Sequence, residues 1–229
     1  MEIKNMKNVS RTKNWRIMIY GEPGTGKTSL AKYLSGKTAV LSLDDSESSL
    51  AGYDIDAITF NRQKPNEEIK NFFKWLDEEG KNYDNLVIDN VTTFQKDWFI
   101  DRAKNSKTGL QNEWQDYSGW GNYFIRMMTA IYETDANVLV TAWEANQDFY
   151  KVDGQKFTQL QPDLRDTVRS YLMGLSDIVG RIMIKPETGE RGIILEGNDS
   201  ILAKNRLDSR KGCLASDLFK FEVGDSNAV

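Results

Sequence analysis

A glycine-rich segment that directly follows a short apolar run constrains the fold of this chain more than any other feature. It reads Gly-Glu-Pro-Gly-Thr-Gly-Lys-Thr over residues 21–28, and the apolar run occupies residues 15–20. Glycines permit a tight turn whose backbone N–H groups converge on an anion, and a following helix N-terminus strengthens that attraction. We therefore predict a strand at residues 15–20, a phosphate-binding loop, and a helix at residues 27–35.

The last residues of this segment carry the chemistry for a nucleoside triphosphate. The ammonium of Lys27 is expected to reach the β- and γ-phosphates, and the hydroxyl of Thr28 to bind Mg²⁺. ATP and Mg²⁺ are accordingly the expected ligands, although such a loop reads phosphates rather than bases. The residues predicted to hold the nucleotide are Gly21, Glu22, Pro23, Gly24, Thr25, Gly26, Lys27, Thr28 and Ser29.

A second acidic feature ends the apolar segment Leu-Val-Ile-Asp at Asp89. A carboxylate at the end of a buried strand beside a phosphate-binding loop is suited to hold Mg²⁺, so Asp89 joins Thr28 as a metal residue. The next residue is Asn90, an amide that cannot act as a base. Acids at the end of an earlier apolar run supply the alternative, and we predict Glu47 as the catalytic base, with Asp45 or Asp44 as substitutes.

Apolar runs and amphipathic segments alternate along most of the chain, which predicts an α/β fold. The sheet is expected to be mostly parallel and twisted, with helices on both faces, and to end in C-terminal β-hairpins with turns at residues 153–154 and 188–189. The further predicted strands are residues 38–43, 85–89, 137–142, 178–185, 192–195 and 201–203. The further predicted helices are residues 66–79, 91–104, 121–134 and 163–173.

Composition excludes several classes of chemistry. The chain has no histidine and one cysteine, Cys213, so a disulfide framework, a structural zinc site and a Ser-His-Asp triad are excluded. No apolar run approaches the roughly 18 residues of a membrane span, and we expect a cytoplasmic protein without a membrane partner. A basic arm at residues 1–14, a single domain at residues 15–223 and a frayed tail at residues 224–229 complete the predicted organisation.

Three short motifs resemble the RecA family of P-loop NTPases. Asp45-Ser46-Glu47 resembles the D-x-E whose glutamate activates water, and Asp89-Asn90-Val91 resembles the D-S-V of the metal-binding strand. Lys204-Asn205-Arg206 resembles a K-N-K motif whose cations reach the γ-phosphate of a neighbouring subunit. The resemblance thus implies that Lys204 and Arg206 are catalytic residues acting in trans, and that the chain assembles into a ring or filament with nucleotide at the subunit interface.

The compact size is similar to that of phage-encoded RecA-like proteins of the single-strand annealing or recombinase type. That resemblance implies single-stranded DNA and a single-strand-binding protein as partners, and the host cytoplasm as the location. Residues 105–118 and 144–161 are the candidate DNA-binding loops, and the second contains Phe149, Tyr150, Lys151, Lys156 and Phe157. Two alternatives stay open: a nucleotide-gated helicase loader or packaging accessory, and a small-molecule kinase.

Overall fold

The computed structural model describes residue 5, residues 12–150 and residues 154–221, and these form a mixed α/β structure around one sheet. Its strands are β1 (Arg16–Gly21), β2 (Thr38–Ser42), β3 (Asp56–Ile58), β4 (Asn85–Asp89), β5 (Asn137–Tyr150), β6 (Lys156–Pro162), β7 (Ile178–Ile184), β8 (Arg191–Ile194), β9 (Lys204–Asn205) and β10 (Gly212–Leu214). Its α-helices are α1 (Pro65–Glu79), α2 (Val91–Lys104), α3 (Trp114–Tyr132) and α4 (Asp166–Leu175).

The strand order places β5 between the two strands that carry the predicted nucleotide motifs. Along the sheet the order is β10-β8-β7-β1-β5-β4-β2-β3, and the pairs from β7 to β3 are all parallel. Strands β8, β9 and β10 are antiparallel additions. Parallel strands end at a common edge, so the segments after β1, β2, β4 and the core part of β5 meet there.

Alternating strand residues supply two apolar layers. Met18 and Tyr20 of β1 join the cluster beneath all four α-helices, whereas Ile17 and Ile19 join the cluster on the opposite face. That second face is covered by loops and by 3₁₀ turns, including Thr28–Tyr33 and Ala215–Asp217. The near-continuous apolar strands predicted from the sequence are thus buried on both faces, as a parallel sheet requires.

The helices differ from their predicted bounds at the ends. The segment after the phosphate-binding loop is a 3₁₀ helix, Thr28–Tyr33, rather than a longer α-helix. Helix α3 begins at Trp114 instead of residue 121, because the Asp116 carboxylate accepts a hydrogen bond from the Glu113 N–H at 2.9 Å and caps its first turn. The predicted helix at residues 163–173 is α4, which starts three residues later.

Both predicted hairpins are present, but one strand prediction is wrong. β5 continues past residue 142 to Tyr150 and pairs with β6, and β7 pairs with β8. Gly154 has a φ of 84°, as a tight turn requires, whereas Asp153 lies outside the described residues. The predicted strand at residues 201–203 is absent, since Ile201 makes only isolated β-bridges. Strand β9 begins just after these residues, at Lys204. The short edge strand β3 was not predicted.

The sequence predictions for the chain ends fall largely outside the described residues. The basic arm at residues 1–14 is described only at residues 5 and 12–14, and the tail at residues 224–229 lies entirely outside the described residues.

Cys213 packs half-buried against the second apolar cluster, and burial raises the pKa of its thiol to about 11. This placement agrees with a packing residue rather than a reactive thiol.

Candidate functional site

The predicted phosphate-binding loop leaves β1 at Gly21 and turns back at the shared edge of the sheet. Gly24 and Gly26 have φ values of 80° and 94°, which only glycine adopts without strain. No atom lies within 4 Å of the position that a Cβ would take on Gly24, so this part of the loop faces open space. The loop residues 21–29 therefore form a cradle of the shape that phosphate oxygens occupy.

Lys27 lies inside this loop with its side chain buried. Its ammonium donates hydrogen bonds to the carbonyl oxygens of Gly21 at 2.9 Å and Glu22 at 2.8 Å. Desolvation lowers its pKa, while the negative charges of Asp89, Asp44 and Glu144 act in the opposite direction. Because its present partners are neutral carbonyls, the ammonium gains by exchanging them for anionic phosphate oxygens.

Asp89 is the centre of the site and only 1% exposed. One carboxylate oxygen accepts hydrogen bonds from the hydroxyls of Thr28 at 2.6 Å and Ser46 at 2.9 Å, and the other accepts from Thr141. The hydroxyls of Thr28 and Ser46 lie 3.2 Å apart. The structure thus brings together the two predicted metal residues, Thr28 and Asp89, and adds Ser46, which sequence reasoning did not select.

This oxygen cluster fits the requirements of Mg²⁺. Mg²⁺ prefers oxygen ligands and is usually held by one or two carboxylates together with substrate phosphates and water. Within the part of the chain that the structure describes, no group of three or more His, Cys, Asp or Glu residues forms a metal cage. Thr28 and Asp89 would therefore hold the ion together with the phosphates, and Ser46 lies where it can join them.

The three acids predicted as candidate bases are separated by their hydrogen bonds. Glu47 accepts a hydrogen bond from Ser42, and Asp44 accepts one from the amide of Asn90. The second carboxylate oxygen of Asp44 is buried and has no hydrogen-bond partner, and burial raises the pKa of this carboxyl. Asp45 is exposed and lies 3.7 Å from the Arg62 guanidinium. The assignment of Glu47 as the base stays a prediction.

An ion pair at the same edge was missed by sequence reasoning. Arg181 of β7 donates two hydrogen bonds to Glu144 of β5, at 2.6 and 3.2 Å, and both side chains are largely buried. Arg181 is level with Tyr20 on β1, and the charge of Glu144 acts on Lys27. The available signal was a charged residue within each of two otherwise apolar strand segments.

The predicted catalytic cations Lys204 and Arg206 lie elsewhere in the molecule. Lys204 is level with Val179 on β7, and the Arg206 N–H bonds to the Asp177 carbonyl. Both side chains donate to the carbonyl oxygen of Gly174, at 3.1 and 3.2 Å. The structure therefore does not bring them together with the P-loop of their own chain.

The two predicted DNA loops present different surfaces. Trp120 is 1% exposed and belongs to the core, whereas Trp114 at the start of α3 is 89% exposed. In the second loop Phe149 stacks on Phe157 with ring centroids 5.5 Å apart, and Tyr150 is 71% exposed. Lys156 pairs with Asp148 at 2.8 Å, and Lys151 lies outside the described residues.

No helix in the described residues is long and apolar enough to cross a membrane.

A comparison with known protein families agrees with this geometry. A search of curated proteins found no match. A family model described as an AAA domain matches residues 13–207, a span that contains the phosphate-binding loop, Asp89 and both basic residues of the 204–206 motif. The chain therefore belongs to the AAA-type P-loop NTPases, a family of nucleotide-binding ATPases.

Proposed function

We propose that this protein is a Mg²⁺-dependent, RecA-like ATPase that assembles with copies of itself and acts on single-stranded DNA in recombination or annealing. The observation that carries the ATPase part is the cluster of Thr28, Ser46 and Asp89 beside the buried Lys27. Bound Mg²⁺ would supply charge neutralisation of the β- and γ-phosphates.

In the proposed reaction a water oxygen bonds to the γ-phosphorus as the bond from that phosphorus to the β–γ bridging oxygen breaks. The attacking water gives its proton to a carboxylate at the end of β2, Glu47 in the sequence prediction. Lys27 contacts the oxygens on which negative charge accumulates, and ADP leaves with the bridging oxygen. Each residue is supplied by a strand end at the same edge of the sheet.

Self-assembly is proposed because of where Lys204 and Arg206 lie. Arg206 is level with the start of β1, and Gly21 is five residues further along that strand. At about 3.3 Å per residue this is a separation of roughly 17 Å, beyond the length of an arginine side chain. We therefore propose that Arg206, together with Lys204 from the same motif, stabilises a γ-phosphate on a neighbouring subunit, as the RecA resemblance implies.

Exposed aromatic residues support the single-stranded DNA part of the proposal. Trp114 and Tyr150 present their rings to solvent, and bases stack on such rings without regard to sequence. Lys104 and Lys107, close to Trp114 in the chain, supply positive charge for the phosphate backbone. The proposed biological setting is that of phage-encoded annealing proteins and recombinases, with a single-strand-binding protein as a further partner.

The test is steady-state ATP hydrolysis with Mg²⁺ or with EDTA, with and without an unstructured oligodeoxythymidine. We expect hydrolysis that needs Mg²⁺ and rises with the oligonucleotide. Tight Mg·ATP binding with no turnover under any condition would instead support the nucleotide-gated accessory protein. Phosphate transfer to a nucleoside or nucleotide without DNA would support the kinase.

A further inference from the structure

The β7–β8 hairpin is packed against the phosphate-binding loop at both ends of that loop. A Cβ on Gly21 would lie 2.5 Å from the carbonyl oxygen of Ile182 on β7, and one on Gly26 would lie 2.5 Å from Nε of Arg191 on β8. Gly21 is therefore required partly because the β7 backbone approaches so closely, whereas the atoms close to Gly26 belong to the Arg191 side chain. The hairpin forms one wall of the nucleotide site.

Arg191 is the residue of the hairpin that bonds directly to the loop. Its Nε donates a hydrogen bond to the carbonyl oxygen of Thr25 at 3.0 Å, and the threonine hydroxyl in turn donates to the Glu22 carbonyl at 2.8 Å. This holds the guanidinium beside the backbone that is expected to cradle the phosphates. The contact links residues that are 166 positions apart in the sequence.

The charge of Arg191 is not compensated by an ion pair among the described residues. Two other arginines of this region are paired: Arg181 with Glu144 at 2.6 Å and Arg210 with Asp208 at 2.6 Å. The Arg191 side chain is also exposed, so the nitrogens beyond Nε are open to a ligand. An exposed, unpaired guanidinium fixed by its Nε is suited to bind phosphate oxygens with its remaining donors.

We infer that Arg191 binds the phosphate chain of the nucleotide in the same subunit, with Nε anchored to the loop and the terminal nitrogens on the phosphate oxygens. This role rests on the proposed function, since it needs a nucleotide in the loop. It is distinct from that of Lys204 and Arg206, whose side chains bond to the Gly174 carbonyl and not to this loop. Arg191 thus makes the β7–β8 hairpin part of the nucleotide site.

Binding of a fluorescent ATP analogue to the full chain with Mg²⁺, and its displacement by ATP and by inorganic tripolyphosphate, tests the inference. Arg191→Gln removes the charge but keeps a donor for the Thr25 carbonyl, and Arg191→Ala removes both. We expect each variant to weaken ATP and tripolyphosphate by about 10- to 100-fold, at any protein concentration. Arg191→Lys should lose less, because the positive charge remains.

Lys185→Ala is the matched control, because it also removes a cation from this hairpin. Unlike Arg191, Lys185 is paired with a carboxylate, that of Glu190 at 3.8 Å. This variant should bind both ligands within about twofold of the unmodified protein. Wild-type affinity in Arg191→Gln would overturn the inference, as would a loss for ATP without a loss for tripolyphosphate, which would place the guanidinium on the base. If the unmodified chain binds neither ligand, the proposed function itself fails.

Discussion

Polar residues of other segments surround both ends of β1, but they are bonded differently at the two ends. At the end where the P-loop begins, residues from four strand ends meet, and both carboxylate oxygens of Asp89 are occupied by hydroxyl donors. At the other end, Lys204 and Arg206 both rest on a single carbonyl, that of Gly174 near the end of α4. One end is a connected polar network, and the other is a pair of cations held by one weak acceptor.

In the proposed function, this difference separates the residues that act within one subunit from those that need a second. Desolvation lowers the pKa of Lys204 and repulsion by Arg206 adds to that effect, while the charge of Asp177 acts in the opposite direction. A neighbouring subunit's phosphates would relieve that repulsion. We therefore expect large, concentration-independent effects at the P-loop end and smaller, assembly-dependent effects at the other end.

The largest effect is expected for Lys27→Ala. Removing the ammonium takes away a donor aimed at the developing charge, so we expect ATP turnover to fall by roughly 10²- to 10³-fold. The loss should be the same at every protein concentration, because Lys27 acts on its own subunit's nucleotide. Steady-state phosphate release measures it, and Lys32→Ala, a change in the 3₁₀ segment after the loop, is the control. Turnover within about threefold of the unmodified protein would contradict the assigned role.

Arg206→Ala should reduce turnover less, by roughly 10- to 100-fold, and only where subunits are assembled. ATP affinity of the dilute protein should not change, since this side chain does not reach its own P-loop. Turnover and nucleotide affinity measured across a dilution series separate the two quantities. An affinity loss in the dilute protein would instead place Arg206 in its own subunit's site.

Trp114→Ala tests whether an exposed ring serves DNA. We expect the affinity for an oligodeoxythymidine to fall by about 1–3 kcal/mol, the usual contribution of one stacked base. Stability should change by no more than about 0.5 kcal/mol, because the side chain is 89% exposed. Fluorescence anisotropy of a labelled oligonucleotide and urea denaturation measure the two effects. Gln111→Ala, in the same exposed loop, is the control and should leave both unchanged.

The smallest effect concerns the pH dependence of stability at Asp44. Burial raises the pKa of this carboxyl above its ordinary value of 3.8, so the folded state binds the proton more tightly than the unfolded chain does. The contribution of Asp44 to stability therefore falls as the pH rises from about 4 towards neutrality. Asp44→Asn removes this dependence. The melting temperature of this variant should therefore rise relative to that of the unmodified protein as the pH increases over this range.

We expect the difference in melting temperature to increase steadily in favour of Asp44→Asn as the pH rises. Thermal denaturation at a series of pH values measures it. Asp45→Asn should show no comparable trend, because Asp45 is exposed. If the melting temperature of Asp44→Asn instead falls relative to that of the unmodified protein as the pH rises, the pKa of Asp44 is lowered in the folded state and not raised.

The sequence predicted the strand elements of the site better than its contacts. The loop at residues 21–28 and the strand ending at Asp89 could be located because a glycine-rich turn and an apolar run are local patterns. Ser46 could not be selected, since its contact with Asp89 depends on the register that sets Ser42 opposite Asp89 across β2 and β4. Register is a property of the assembled sheet.

Arg191 and the Glu144–Arg181 pair were missed for a related reason. Each contact joins residues that are distant in sequence, and a charged residue in a strand is most often a solvated one. The start of α3 was misplaced because a run of polar and aromatic residues hid its first turns, which Asp116 stabilises by capping and by its ion pair with Arg102 at 2.7 Å. Local composition therefore located the elements, whereas long-range packing decided which polar residues meet.

Mixing the two impaired variants tests whether the site is divided between subunits. Lys27→Ala lacks its own catalytic site but presents Arg206, and Arg206→Ala has an intact P-loop but offers no trans cation. We expect steady-state ATP hydrolysis of an equimolar mixture to exceed the sum of the two variants measured alone, because mixed interfaces pair an intact P-loop with an intact Arg206. A mixture that hydrolyses ATP at only the sum of the two rates would contradict the division of the site between subunits.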